Sequence, residues 1–124
     1  MLQDASSFSG FAVDDIDAAV GFYRDTLGLE VTEQDGGLTL HLKGAGDVFV
    51  YPKADHTPAT FTILNFSVDD VDAKVEEMSA RGIEFERYEG FSQDEHGIAR
   101  GDFGPTIAWF TDPAGNILSV LEDS

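Results

Sequence analysis

The sequence predicts an α+β chain of two tandem βαβββ modules, folded as curved mixed sheets around a cleft, and three observations carry that expectation. The stretch FAVDDIDAAVGFYRDTLGLEV, beginning at Phe11, recurs in outline as FSVDDVDAKVEEMSARGIEF from Phe66. Each copy reads as a strand, an Asp-Asp turn, an amphipathic helix, a glycine stop and a second strand. The length of 124 residues, 42% of them hydrophobic, suffices for one core but hardly for two independent ones. The expected organisation is therefore one domain over 1–124, with module one at about 6–52, a linker at about 52–59 and module two at about 60–122.

In module one, Phe8 to Val13 reads as a short apolar strand. Asp14 or Asp15 offers a helix N-cap, Ile16, Val20, Tyr23 and Leu27 form one helical stripe, and Gly28 ends the helix. Strands follow at Leu29 to Glu33, Leu38 to Lys43 and Asp47 to Tyr51, separated by the turn compositions Asp35-Gly36-Gly37 and Gly44-Ala45-Gly46. The prolines of PKADHTP, Pro52 to Pro58, mark the linker.

Module two repeats the order. Thr60 to Val68 reads as a strand, Asp69 or Asp70 as the cap, Val71, Val75 and Met78 as the buried stripe, and Gly82 as the stop. Ile83 to Tyr88, Thr106 to Thr111 and Asn116 to Leu121 are the remaining strands. The polar stretch Glu89 to Pro105 is long for a connection, and loops of that length are commonly functional.

Composition narrows the function classes. A formal charge of −17 with only seven Lys and Arg argues against nucleic acid and anionic membranes, whose phosphates are bound through cations. An acidic surface attracts cationic ligands, although solubility alone explains it. No cysteine is present, which removes disulfides, thiolate nucleophiles and zinc-thiolate sites. The N-terminal residues lack a basic signal region, and no segment approaches the roughly 18 apolar residues of a membrane span, so a cytoplasmic location is expected.

The elements Phe22-Tyr23-Arg24-Asp25-Thr26-Leu27-Gly28 and Phe110-Thr111-Asp112-Pro113-Ala114-Gly115-Asn116, with the paired Asp-Asp helices, resemble the vicinal oxygen chelate superfamily. That superfamily includes glyoxalase I, extradiol dioxygenases, fosfomycin-resistance transferases and bleomycin-resistance proteins. The resemblance covers nearly the whole chain. In metal-binding members, four cleft-facing strand positions carry His, Glu or Gln around a divalent cation. The resemblance maps these positions onto Phe8, Val50 (or Tyr51 with a register slip of one), Ile63 and Ser119. Phe, Val and Ile offer no lone pair and a lone serine hydroxyl is a weak ligand, so no metal and no cofactor is expected.

Taking the positions mapped by the resemblance as the cleft face, strand alternation extends that face to Phe8, Gly10, Ala12, Phe61, Ile63, Asn65, Ser67, Ile117, Ser119 and Leu121. Leu38, Leu40 and Leu42 should pack on a helix, which turns Thr39 and His41 toward the cleft. The resemblance to DPxGN segments of that superfamily implies that Phe110 points inward, leaving Trp109 and Ile107 on the cleft side. The expected ligand-binding residues are Phe8, His41, Val50, Tyr51, Ile63, Asn65, Trp109 and Ser119, with His41 also the candidate acid or base. Trp109 reads equally as core, and His41 as a partly exposed strand residue. His96, in the acidic loop, could act as a mobile acid or base but reads more simply as a solvated histidine. His56 is assigned no role. The Asp pairs are explained by helix capping. A hydroxyl nucleophile would need a base within hydrogen-bond reach, and the sequence leaves open whether Ser119 and His41 meet.

The first functional reading is a metal-independent small-molecule binder resembling bleomycin-resistance proteins, holding an apolar or aromatic ligand, cationic ones included, in the cleft of a homodimer. The second is a metal-free isomerase or lyase using His41. The third is a divalent-metal lyase or dioxygenase with displaced ligands.

Overall fold

The computed structural model describes residues 1–101 and 104–122. Asp102 and Phe103, within the expected loop, lie outside them, as do Asp123 and Ser124. The chain forms two compact units, Met1–Thr57 and Pro58–Ser124, which meet in sequence at the end of PKADHTP.

The first unit contains β1 (Ser9–Val13), α1 (Ile16–Val20), a π-helical segment (Gly21–Thr26), β2 (Glu30–Gln34), β3 (Gly37–Leu42) and β4 (Gly46–Pro52). Asp15, in extended conformation, caps α1 by accepting a hydrogen bond from the Ala18 N–H. The one helix expected up to Gly28 is widened in its second half, where the Leu27 N–H reaches the Phe22 carbonyl five residues back. Its stripe nevertheless delivers Tyr23, which is fully buried and meets Phe11 and Phe22 ring to ring. The β2–β3 hairpin turns on Asp35 and Gly36, both at positive φ, which suits a two-residue turn whose twist matches that of the strands.

The sheet order is β1-β4-β3-β2, with β1 parallel to β4 and the other pairs antiparallel. Its register aligns Phe11, Val50 and Leu38 in one row and places Val48 beside Leu40 in the next. Leu38, Leu40, Val48 and Val50 are buried, and α1 packs against β3. Removing each such side chain from water stabilises the fold by roughly 1.5–3 kcal/mol. Gly10, Ala12, Thr39, His41, Asp47, Phe49 and Tyr51 alternate onto the opposite, open face.

The second unit contains β5 (Thr62–Ser67), α2 (Val71–Ala80), β6 (Ile107–Thr111) and β7 (Ile117–Leu121). Asp70 caps α2 through the Ala73 N–H, repeating the geometry of Asp15, and the stripe Val71, Val75 and Met78 is buried as expected. The sheet order is β5-β7-β6, with β5 parallel to β7. Ala108, Phe110, Leu118 and Val120 form its buried face, against which α2 packs.

One expected strand is different. Ile83 to Tyr88 makes only an isolated bridge, Phe85 to Phe110, supported by the Glu86 N–H donating to the Trp109 carbonyl. The other end of the same β6 edge is taken by Ala99, which exchanges both backbone hydrogen bonds with Ile107. Two short stretches thus share the place of one strand. Gln93 links them: its side chain accepts from the Tyr88 N–H and donates to the carbonyls of Glu86 and Gly97. With these backbone groups held by a side chain, the ladder that would define a strand does not extend.

Candidate functional site

The open face of the first sheet is aromatic at one end and polar at the other. Phe49 and Tyr51 stack with ring centroids 6.0 Å apart and planes inclined by 20°. The Phe49 ring lies over Gly37, where an added Cβ would sit 3.1 Å from it and 2.7 Å from the Val50 carbonyl oxygen. Glycine at that point lets the ring lie flat on the strand.

Two rows toward the other end, His41 pairs across the sheet with Asp47 and with Glu30. Its Nδ1 lies 2.8 Å from Asp47 Oδ1 and its Nε2 2.7 Å from Thr32 Oγ1. A carboxylate can only accept, so Nδ1 carries a proton; in the neutral imidazole Nε2 then keeps its lone pair and accepts from the Thr32 hydroxyl.

On the face of the second sheet opposite α2, Asn65, Ser119 and Trp109 form one register row across β5, β7 and β6. Ser119 is fully buried and its hydroxyl donates to Asn65 Oδ1. Trp109 is 8% exposed, covered by Tyr88 at the end of the edge segment and by Phe91 from the long loop, at centroid distances of 5.5 and 4.8 Å. Burial, and secondarily the Glu86 carboxylate, push the Tyr88 phenol above its ordinary value.

The expected site residues therefore divide. Asn65, Ser119 and Trp109 come together, and Tyr51, 39% exposed, shares the open face with His41. Val50 is a correction: it is fully buried in the row of Leu38 and Phe11, on the helix-packed side, because Tyr51 and not Val50 has the outward parity. Phe8, 74% exposed, precedes β1 instead of lying within it. Ile63 sits at a β-bulge, between Thr62 paired with Ile117 and Leu64 paired with Leu118, so the alternation expected through Phe61 and Ile63 is interrupted. Phe49 was not among the expected residues. The run Val48-Phe49-Val50-Tyr51 is apolar throughout, and alternation cannot choose a face for it. Symmetry about the Gly44 turn is the signal that would have set Asp47 opposite His41.

The donor positions implied by the family resemblance do not fit a divalent cation. Phe8 and Ile63 have no donor atom, Val50 is apolar and enclosed, its outward neighbour Tyr51 offers a single phenol oxygen, and the Ser119 hydroxyl is committed to Asn65. Among the described residues, Asp70, Asp72 and Glu122 bring carboxylate oxygens within 4.8 Å of one another. Each is otherwise engaged, Asp70 with the Ala73 N–H, Glu122 with the Val71 N–H at 2.8 Å and Asp72 with Arg100. They complement the positive end of α2.

Elsewhere in module two, Asp72, Val75, Glu76 and Ser79 of α2 line a groove of about 440 Å³ with His96 and Ile98. Arg100 ties the long loop to that helix by bonding both Asp72 and Asp94. The Arg100 hydrogen bond holds the Asp72 carboxyl below its usual range. For Asp94, burial favours the neutral form, but the N–H groups of Ile98 and His96 and then Arg100 outweigh it and lower the pKa. His96 is exposed, with Nε2 3.5 Å from Glu95. His56 keeps an enclosed Nε2 without a hydrogen-bond partner among the described residues.

No helix among the described residues is long and apolar enough to cross a membrane. No curated protein matches the chain by sequence. Solved structures share its fold. TnmS3, an antibiotic binding protein from Streptomyces sp. CB03234, is similar with a TM-score of 0.71 and 24% identity, covering 98% of this chain and 99% of that one. A glyoxalase family protein from Bacillus anthracis gives a TM-score of 0.69 at 22% identity over 100% of both chains. The fosfomycin resistance protein FosX from Listeria monocytogenes gives 0.72 at 14% identity, covering 98% of this chain and 94% of that one. These likenesses speak for the fold alone. The family model, by contrast, matches residues 8–120, and the chain belongs to the Glyoxalase/Bleomycin resistance protein/Dioxygenase superfamily.

Proposed function

We propose that the chain is a metal-independent small-molecule binding protein of the glyoxalase/bleomycin-resistance type. It takes an apolar or aromatic ligand, cationic ones included, in a cleft completed by a second copy in a cytoplasmic homodimer. The observation that carries this reading is the stacked pair Phe49 and Tyr51 on an open sheet face, beside the small residues Gly10 and Ala12. A flat aromatic surface with small neighbours accommodates a planar ring by stacking, and the charge of −17 favours cations near it. Membership in a superfamily with bleomycin-resistance proteins, and similarity to an antibiotic binding protein, support the same reading. The absence of a fitting donor set at the mapped positions supports metal independence.

The test is fluorescence titration with a planar aromatic cation such as acridine orange. Phe49→Ala combined with Tyr51→Ala weakens binding about tenfold or more, the scale expected for losing two stacking contacts. Unchanged affinity in the double variant refutes the stacking site. Elemental analysis of protein purified without chelator bears on the metal, and a stoichiometric cation overturns that part of the reading. Sedimentation velocity reads the dimer directly.

A second reading, a metal-free isomerase or lyase with His41 as acid or base, is favoured by the Asp47 contact that fixes the imidazole tautomer. His41→Ala then lowers turnover by a factor of roughly 100 or more.

A further inference from the structure

We infer that Thr32 is an activated hydroxyl nucleophile, with His41 as its base and Asp47 as the positioning residue, in an acyl-transfer site for aromatic esters on the open face of module one. The inference goes beyond ligand sequestration, and its failure would leave the binding reading untouched. The condition for such a site is a hydroxyl within reach of a base that a third group orients. Ser119 does not meet it, because its hydroxyl donates to the Asn65 amide oxygen. Thr32 does: its Oγ1 is 2.7 Å from His41 Nε2, and His41 Nδ1 is 2.8 Å from Asp47 Oδ1.

The three side chains come from adjacent strands, and the register explains their meeting. Thr32 lies opposite Thr39 on β3, and His41 lies opposite Asp47 on β4, so all three share the open face. Thr32 is exposed and His41 half-buried, which leaves the hydroxyl accessible. The aromatic pair is close by. Phe49 occupies the next row on the same face, opposite Thr39 and roughly 7 Å along the strand from Asp47. An aryl group stacked on Phe49 and Tyr51 would carry its ester toward the Thr32 hydroxyl, which selects esters of aromatic alcohols as the substrate class.

The chemistry balances without a cofactor. Thr32 Oγ1 attacks the ester carbonyl, and its proton passes to His41 Nε2 while Asp47 holds the imidazolium through Nδ1–H. The adduct collapses by breaking the acyl C–O bond, and the departing aryloxide oxygen, which stays on its ring, takes the proton from Nε2. Water then attacks the acyl-threonine with His41 again as base, releasing a carboxylic acid and restoring Thr32.

The probe is 4-nitrophenyl acetate, with release of nitrophenolate followed by absorbance and the intact protein weighed during turnover. The expected result is a single acetyl group on Thr32 and a rate that falls about 100-fold or more in Thr32→Val and in His41→Gln, while Thr32→Ser retains activity. All these positions lie on the sheet surface, so the variants are expected to fold. The inference is overturned if no protein acetylation forms on Thr32, or if Thr32→Val cleaves the ester as fast as the parent, which would mean that the imidazole acts without the hydroxyl. An independent measurement is the nitrogen NMR of the His41 ring. Protonation at Nδ1, shifted by Asp47→Asn, supports the relay, and protonation at Nε2 alone overturns it.

Discussion

The two modules start from comparable local sequences and finish their sheets differently. Glu30–Gln34 and Ile83 to Tyr88 occupy corresponding places after a glycine stop, yet only the first pairs along its whole length. The difference lies in the connection that follows. Asp35 and Gly36 close a two-residue turn that fixes the register of β2 on β3. After Tyr88 the chain enters a long polar stretch instead, and the register of the edge is left to Gln93. Strand propensity alone therefore does not make a strand, because the turn decides how many rungs the ladder has.

The largest test of this contrast concerns Phe110, where the split edge meets the core. It is fully buried, and its ring meets Phe85 at 5.8 Å. Phe110→Ala should cost about 3–5 kcal/mol in urea unfolding, since it leaves a cavity and unseats the bridge at Phe85. A loss below about 1 kcal/mol would mean that the edge segment is not anchored on that ring. An intermediate effect is expected at Gln93. Replacing it by Leu strips hydrogen bonds from three partly buried backbone groups and should cost about 1–3 kcal/mol. Hydrogen exchange at the Tyr88 amide should accelerate while that of Leu40, in the intact ladder of module one, stays slow. Equal acceleration in both modules would argue against a local role for Gln93.

The smallest effect concerns the loop's attachment to α2. The carboxyl pKa values of Asp72 and Asp94 are lowered in the folded chain, so their contribution is present above the ordinary aspartate value of about 3.9 and is lost as pH falls through the depressed values. Amide resonances of His96 and Ile98, both bonded to Asp94, should shift below about pH 4. Arg100→Ala should raise both midpoints toward ordinary values and leave the urea midpoint nearly unchanged, because these ion pairs are largely exposed.

Much of the scaffold was legible from residue types whose local physics is strong. Asp15 and Asp70 cap where an Asp-Asp pair precedes an apolar stripe, Asp35 and Gly36 turn, and Leu38 and Leu40 bury. Features depending on one extra residue escaped, namely the π-helical turn after Val20 and the bulge at Ile63. Both leave composition unchanged while shifting phase, and phase is what alternation is read from. The candidate site was readable where the family resemblance set the face, as at Ser119 and, through the parity it implies, at Asn65, and unreadable in a run that is apolar throughout, as at Phe49. The partners of His41 depend on pairing between strands, so no window centred on His41 contains Thr32.

Because the outer edge of β6 is covered in two places, by Phe85 with Glu86 and by Ala99, the chain between them is held by the hydrogen bonds of Gln93 and Asp94 and by the Tyr88 and Phe91 rings on Trp109, instead of by a ladder with β6. Lengthening it near Glu89 and Gly90 would add closure entropy of only about 0.6 kcal/mol per doubling. This edge is thus the place where the scaffold tolerates insertion. New segments can be accommodated here, beside Trp109, without changing the pairing of the three strands beneath, whereas a single residue added at Asp35 and Gly36 would turn one strand of module one inside out.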